Sequence, residues 1–143
     1  MAFEDGPFIQ VACFCENVIE DKTNVISLIR VIDTFTHTAA GTPPPEEMPP
    51  ITLNFKLVLM FKSGKARGRY NLKIIPEFPD GSAKPPIITT VHFEGEEKGH
   101  NQVANLTFTF PLEGLYWFDV FINEDKITSL PLRIKYNRVV MGT

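Results

Sequence analysis

Two cysteines, three histidines and a few isolated carboxylates are the groups in this chain whose types could serve as nucleophiles, bases or metal ligands. Cys13 and Cys15 stand two apart in a strand-like run, which puts both on one face. Their Cα atoms would then lie about 6.5–7 Å apart with parallel side-chain vectors, a poor geometry for a disulfide. They read as reduced, buried residues, since free Cys behaves as a small hydrophobe. A metal site would need two more ligands, and His37, His92 and His100 have no ligand spacing with the pair. Each histidine reads as a solvated or structural residue. Asp33 lies in a strongly apolar run, where a carboxylate needs a partner; Arg30 or a backbone turn could supply one. Asp80, Asp119, Glu124 and Asp125 lack the regular spacing of a calcium loop and read as solvated turns. No Ser/His/acid order, glycine-rich phosphate loop or HExxH motif is present. The expectation is a chain with no catalytic residue, no metal and no cofactor.

Charge gives one candidate binding region. Residues 49–76 contain no acid, while Lys56, Lys62, Lys65, Arg67, Arg69 and Lys73 supply six of the 14 basic residues. The first 50 residues show the reverse, with eight acids against Lys22 and Arg30. Such polarity suits an anionic partner, or complementary surfaces meeting within a homo-oligomer. Lys62, Lys65, Arg67, Arg69 and Lys73 form the candidate anion site, on a basic hairpin spanning 62–73. Tyr70 is its lone aromatic and is expected to point inward, whereas nucleic-acid grooves pair charge with stacking aromatics. Nucleic acid is therefore not the expected partner.

The second candidate surface is apolar. In residues 115–122, Tyr116, Phe118, Val120 and Ile122 take one face, and Leu115, Trp117 and Phe121 the other. A strand apolar on both sides should be covered on both. If the chain itself does not cover the outer side, a partner must, and exposed Trp and Phe are typical interface anchors.

The elements that position these residues follow from a two-residue period. Ala104, Leu106, Phe108 and Phe110 alternate with polar residues, as do Leu130, Leu132, Ile134 and Tyr136. Ile51, Leu53, Phe55, Leu57, Leu59 and Phe61 form the cleanest such series. A first strand is expected over 8–17, with Ile9, Val11, Cys13 and Cys15 inward. Residues 25–38 read as one long strand, apolar on both sides around 26–32, hence central or carrying a bulge that switches its inward face. Residues 39–50 hold five of the 12 prolines and read as a loop crossing between two sheets. About eight short strands, no helical stripe and 12 Phe predict an all-β, two-layer antiparallel β-sandwich, one domain over 1–143.

Two resemblances follow. The stretch from Phe110 through Gly114, Tyr116 and Trp117 to Val120 resembles the turn into Tyr-x-apolar-x-apolar of immunoglobulin-like sandwiches. The resemblance implies that Tyr116 pins the corner through its hydroxyl. The opening, with Cys13, Cys15 and then Asn24 through Asp33, resembles a family of short bacterial all-β proteins of unknown function, which lends no activity. The acidic start lacks the basic and apolar regions of a secretory leader, and no run of 18 apolar residues exists, so a cytoplasmic chain without a membrane span is expected. The function expected is non-catalytic: a binding or structural module that self-associates or holds a protein partner through Leu115, Trp117 and Phe121. Recognition of an anion, nucleic acid or an acidic protein, by the basic hairpin 62–73 is the alternative.

Overall fold

Nine strands build the chain, in a computed structural model that describes residues 5–142. They are β1 (Phe8–Glu20), β2 (Ile26–Ile32), β3 (Thr34–Gly41), β4 (Ile51–Gly64), β5 (Gly68–Glu77), β6 (Ile87–Phe93), β7 (Glu96–Phe110), β8 (Gly114–Ile122) and β9 (Asp125–Val140). The four-stranded sheet runs β2-β1-β4-β7 and the five-stranded sheet β3-β9-β8-β5-β6. All neighbours are antiparallel except β3 and β9, which pair in parallel from Thr34↔Arg133 to Gly41↔Val140. The expected all-β sandwich is the fold, with nine strands for about eight. The acidic opening at residues 1–4, part of the basis for expecting no leader, lies outside the described residues.

Aromatic rings lock the two layers together. Phe14 of β1 meets Phe118 of β8 edge to face, with centroids 5.0 Å apart, and Phe61 of β4 meets Phe93 of β6 at 5.8 Å. Phe110 of β7 meets Tyr116 of β8 at 4.9 Å. All six rings are buried, and each stabilises the fold by about 1.5–3 kcal/mol relative to an exposed side chain.

Four expectations about the strands and their residues are corrected. On β1 the register with β4 slips between Ile9↔Phe61 and Val11↔Met60, a bulge at Gln10. Ala12 and Phe14 therefore turn inward, while Val11, Cys13 and Cys15 move to the outer face, opposite to the period read from the sequence. Residues 25–38 are two strands, not one. The chain leaves the four-stranded sheet at Asp33 and joins the five-stranded one, and both β2 and β3 are edge strands. Asp33 is exposed rather than buried; its carbonyl accepts the Arg133 amide at 3.0 Å, while Arg30 pairs with Glu16 at 3.3 Å. Residues 62–73 are likewise not a hairpin, because β4 and β5 lie in different sheets.

The proline loop does cross between sheets, from β3 to β4. Proline carbonyls accept hydrogen bonds although proline nitrogens cannot donate. Pro45 receives the Tyr136 hydroxyl at 2.7 Å and Arg138 Nε at 2.9 Å, and Arg138 Nη2 reaches the Pro44 carbonyl at 2.9 Å. Met48 anchors the loop by packing into the core.

Candidate interaction surface

Strand β8 is set in place by the corner that precedes it. Tyr116 is fully buried, and its hydroxyl donates to the Leu112 carbonyl at 2.6 Å while accepting the Leu112 amide at 3.1 Å. Burial pushes the phenol above its ordinary pKa, against the lowering effect of the Leu112 bond, so it remains a neutral donor. Gly114 opens the strand at φ 134°, where a Cβ would come within 2.8 Å of Pro79 Cβ. The backbone closes against the 79–80 turn there because glycine has no side chain.

From that corner the alternation runs unbroken. Tyr116, Phe118, Val120 and Ile122 are buried, and Leu115, Trp117, Asp119 and Phe121 face outward. Trp117 is 38% exposed, with Leu115 and Phe121 half-buried beside it. The neighbouring strands complete the surface. Trp117 lies between Glu77 and Pro131, Asp119 between Ile75 and Ser129, and Phe121 between Lys73 and Lys126. Lys73 in turn pairs with Ile88 of β6, which is 62% exposed.

Charge on this surface is arranged around the rings. Lys73 Nζ sits 5.3 Å from the Phe121 centroid, a cation–π contact. Asp119 is engaged by Ser129 Oγ at 2.6 Å and Lys126 Nζ at 3.4 Å, so no unpaired carboxylate interrupts the apolar strip. Arg133 stands next to Leu115 at the far end. There a shallow depression of about 630 Å³, lined by Thr36, Glu113, Arg133, Lys135 and Asn137, continues the surface toward β3.

The structure thus brings Leu115, Trp117 and Phe121 onto one face. Ile75 and Ile88 were missed in the sequence. Their signal is the pairs Ile74-Ile75 and Ile87-Ile88, since adjacent apolar residues in a strand must put one outside. The five basic candidates are not brought together. Lys62 is on the four-stranded sheet and Lys65 in the connecting turn, whereas Arg67, Arg69 and Lys73 run toward and along β5. Arg67 is already engaged, by Glu96 at 3.7 Å and the Glu94 carbonyl at 2.8 Å.

The remaining reactive groups fall elsewhere. Cys13 and Cys15 are free thiols on the outer face of the four-stranded sheet, beside Val58 and Lys56. Cys15 is fully buried there and Cys13 half-buried; burial raises both pKa values, so the thiols are held protonated. His37 stacks on Tyr136 with centroids 6.0 Å apart, His92 is exposed, and His100 contacts Gln102 at 3.0 Å. Among the described residues no three His, Cys, Asp or Glu side chains gather as metal ligands.

Comparison with known proteins gives the chain a family and no activity. An immunoglobulin-like protein from Pseudomonas aeruginosa is similar in structure, at a TM-score of 0.44 and 14% identity, over 92% of this chain and 98% of that one. No curated protein matches the chain. The model of DUF6941, a family of unknown function, matches residues 10–135, and the chain belongs to that family.

Proposed function

We propose that the chain is a non-catalytic protein-binding module whose docking surface is the outer face of the five-stranded sheet. One observation carries the reading: Trp117 stands exposed on the same sheet face as Leu115, Phe121, Ile75 and Ile88, on a strand whose start is pinned by the Tyr116 corner. Large side chains on fixed strands lose little further freedom on binding, which is how a few anchors come to dominate an interface. Lys73, between Phe121 and Ile88 and drawn over the Phe121 ring, and Arg133, beside Leu115, supply the charge that keeps such a strip in water. Anion recognition by Lys62, Lys65, Arg67, Arg69 and Lys73 has less support, because the five lie over two sheets and their connection.

A benzophenone amino acid at position 117, with the same group at exposed Thr107 on the other sheet as control, tests this in cells that make the protein. The expected result is an adduct specific to position 117, whose partner binds the purified chain and loses that binding on Phe121→Lys. Equal adducts from both positions, or binding indifferent to the substitution, would contradict the reading.

A further inference from the structure

The β1–β2 hairpin leaves the sandwich as an arm. Pairing between β1 and β4 ends at Cys15↔Lys56, while β1 and β2 stay paired out to Glu20↔Ile26. Beyond Cys15, then, the arm is a two-stranded ribbon, and β2 makes no extensive contact with any strand but β1. Its side chains do not suit that position. Ile19 is 52% exposed, Val25 60%, Ile29 39% and Val31 63%. Val18, Ile26 and Leu28 are half-buried on the opposite side of the ribbon. An isolated hairpin is marginally stable in water, and one aliphatic on both sides is expected to dock.

We propose that this arm docks on the aromatic face of a second copy of the chain, joining copies head to tail. The inference rests on the docking face proposed above and adds its occupant. Charge complementarity supports a second copy. The arm carries Glu16, Glu20 and Asp21 against Lys22 and Arg30, an acidic excess. Around the Trp117 strip, Arg69, Lys73, Lys126, Arg133 and Lys135 outnumber Glu77, Glu113 and Asp119, a basic excess. Arm and face belong to different sheets, so the arm is placed to serve a neighbour rather than its own face. An arm-to-face contact is heterologous: each copy keeps one free arm and one free face, and association continues instead of closing at a symmetric dimer. A standard interface uses about 20–30 residues a side. The arm, residues 16–31, supplies 16, so the association is of the weak, concentration-dependent kind.

Sedimentation velocity of the purified chain from about 1 to about 100 µM tests the proposal in the micromolar range that such an interface implies. The wild type is expected to exceed its 16.1 kDa chain mass increasingly with concentration, and less so as salt is raised. A face variant, Trp117→Lys, and an arm variant, Ile19→Lys with Val31→Lys, should each weaken association at least about tenfold. Mixed in equal amounts they should form a dimer and nothing larger, since the mixture holds one intact arm and one intact face per pair. Near-UV circular dichroism establishes that each variant is folded, and Lys73→Glu serves as a second face variant if Trp117→Lys is not. A wild type that stays monomeric throughout overturns the proposal and leaves the docking face to the crosslinking test. An arm variant that associates like the wild type also overturns it, and assigns the face a different occupant.

Discussion

Replacing Tyr116 by Phe removes one atom, and the structure fixes what that atom does. The hydroxyl serves both backbone groups of Leu112, donating to the carbonyl at 2.6 Å and accepting the amide at 3.1 Å. The ring itself is fully buried and stays so in the variant, packed edge to face against Phe110 at 4.9 Å and Phe78 at 5.2 Å. A typical net hydrogen bond contributes about 0.5–1.5 kcal/mol, and a buried group left unpaired costs about 1–3 kcal/mol. Because Leu112 as a residue is 39% exposed and its bonds to Tyr116 only partly buried, water can recover part of the loss at its backbone. The expected cost of Tyr116→Phe is therefore about 1–2 kcal/mol, near one full bond. Tyr116→Ala also deletes the ring and should cost about 3–5 kcal/mol. Urea titration reads both directly, as a lower midpoint with an unchanged slope. For a chain of this size 1 kcal/mol corresponds to roughly 2–4 °C in Tm. A Phe variant with wild-type stability would refute the reasoning, because the hydroxyl would then be exchanging its bonds for water at no cost.

Further outcomes follow from other sites. Gly114→Ala should cost about 1–3 kcal/mol, and more than Gly81→Ala; both glycines have positive φ, but only at Gly114 would the new Cβ strike a neighbour, Pro79. In the native state at neutral pH, a thiol reagent should modify Cys13 slowly and Cys15 only after denaturation, because burial raises both pKa values and the thiolate is the reacting form. Simultaneous rapid labelling of both would contradict that. The Thr23 hydroxyl foremost holds the Asp21 carboxyl below the usual 3.8, and the Ser82 hydroxyl does the same for Asp80. A depressed folded-state pKa gives stability that is present above 3.8 and is lost as the pH falls through the lower folded value. Carboxyl resonances followed by NMR should titrate with midpoints below 3.8, and midpoints at or above it would show that these turns do not hold in solution.

The fold was legible wherever the two-residue period ran unbroken. Strands β4, β7, β8 and β9 carry clean alternation, and their inward residues are those found in the core. Tyr116 could be placed because the glycine before it and the alternation after it leave a buried phenol in need of a backbone partner. Failures occurred where parity changed without a mark in the sequence. Gln10 inserts one residue into β1 and moves Cys13 and Cys15 to the outside, yet neither glycine nor proline flags the bulge. At Asp33 the chain changes sheets in a single residue, so an aliphatic run that resembled a buried central strand became two edges and an exposed arm. Dispersal of the basic residues has a similar origin. Sequence proximity suggested a hairpin, but Lys65 through Arg67 carry the chain from one sheet to the other.

Trp117 is the sole tryptophan, so its fluorescence reports on the proposed docking face without a label. The most direct test is its emission maximum and acrylamide quenching, followed from about 1 to about 100 µM protein and again with any partner identified by crosslinking at position 117. A face that docks should exclude water from the indole, shifting emission to the blue and reducing quenching as association proceeds, with both changes absent in Phe121→Lys. Emission and quenching that stay constant while the chain associates or takes up its partner would show that binding occurs elsewhere, and would contradict the account.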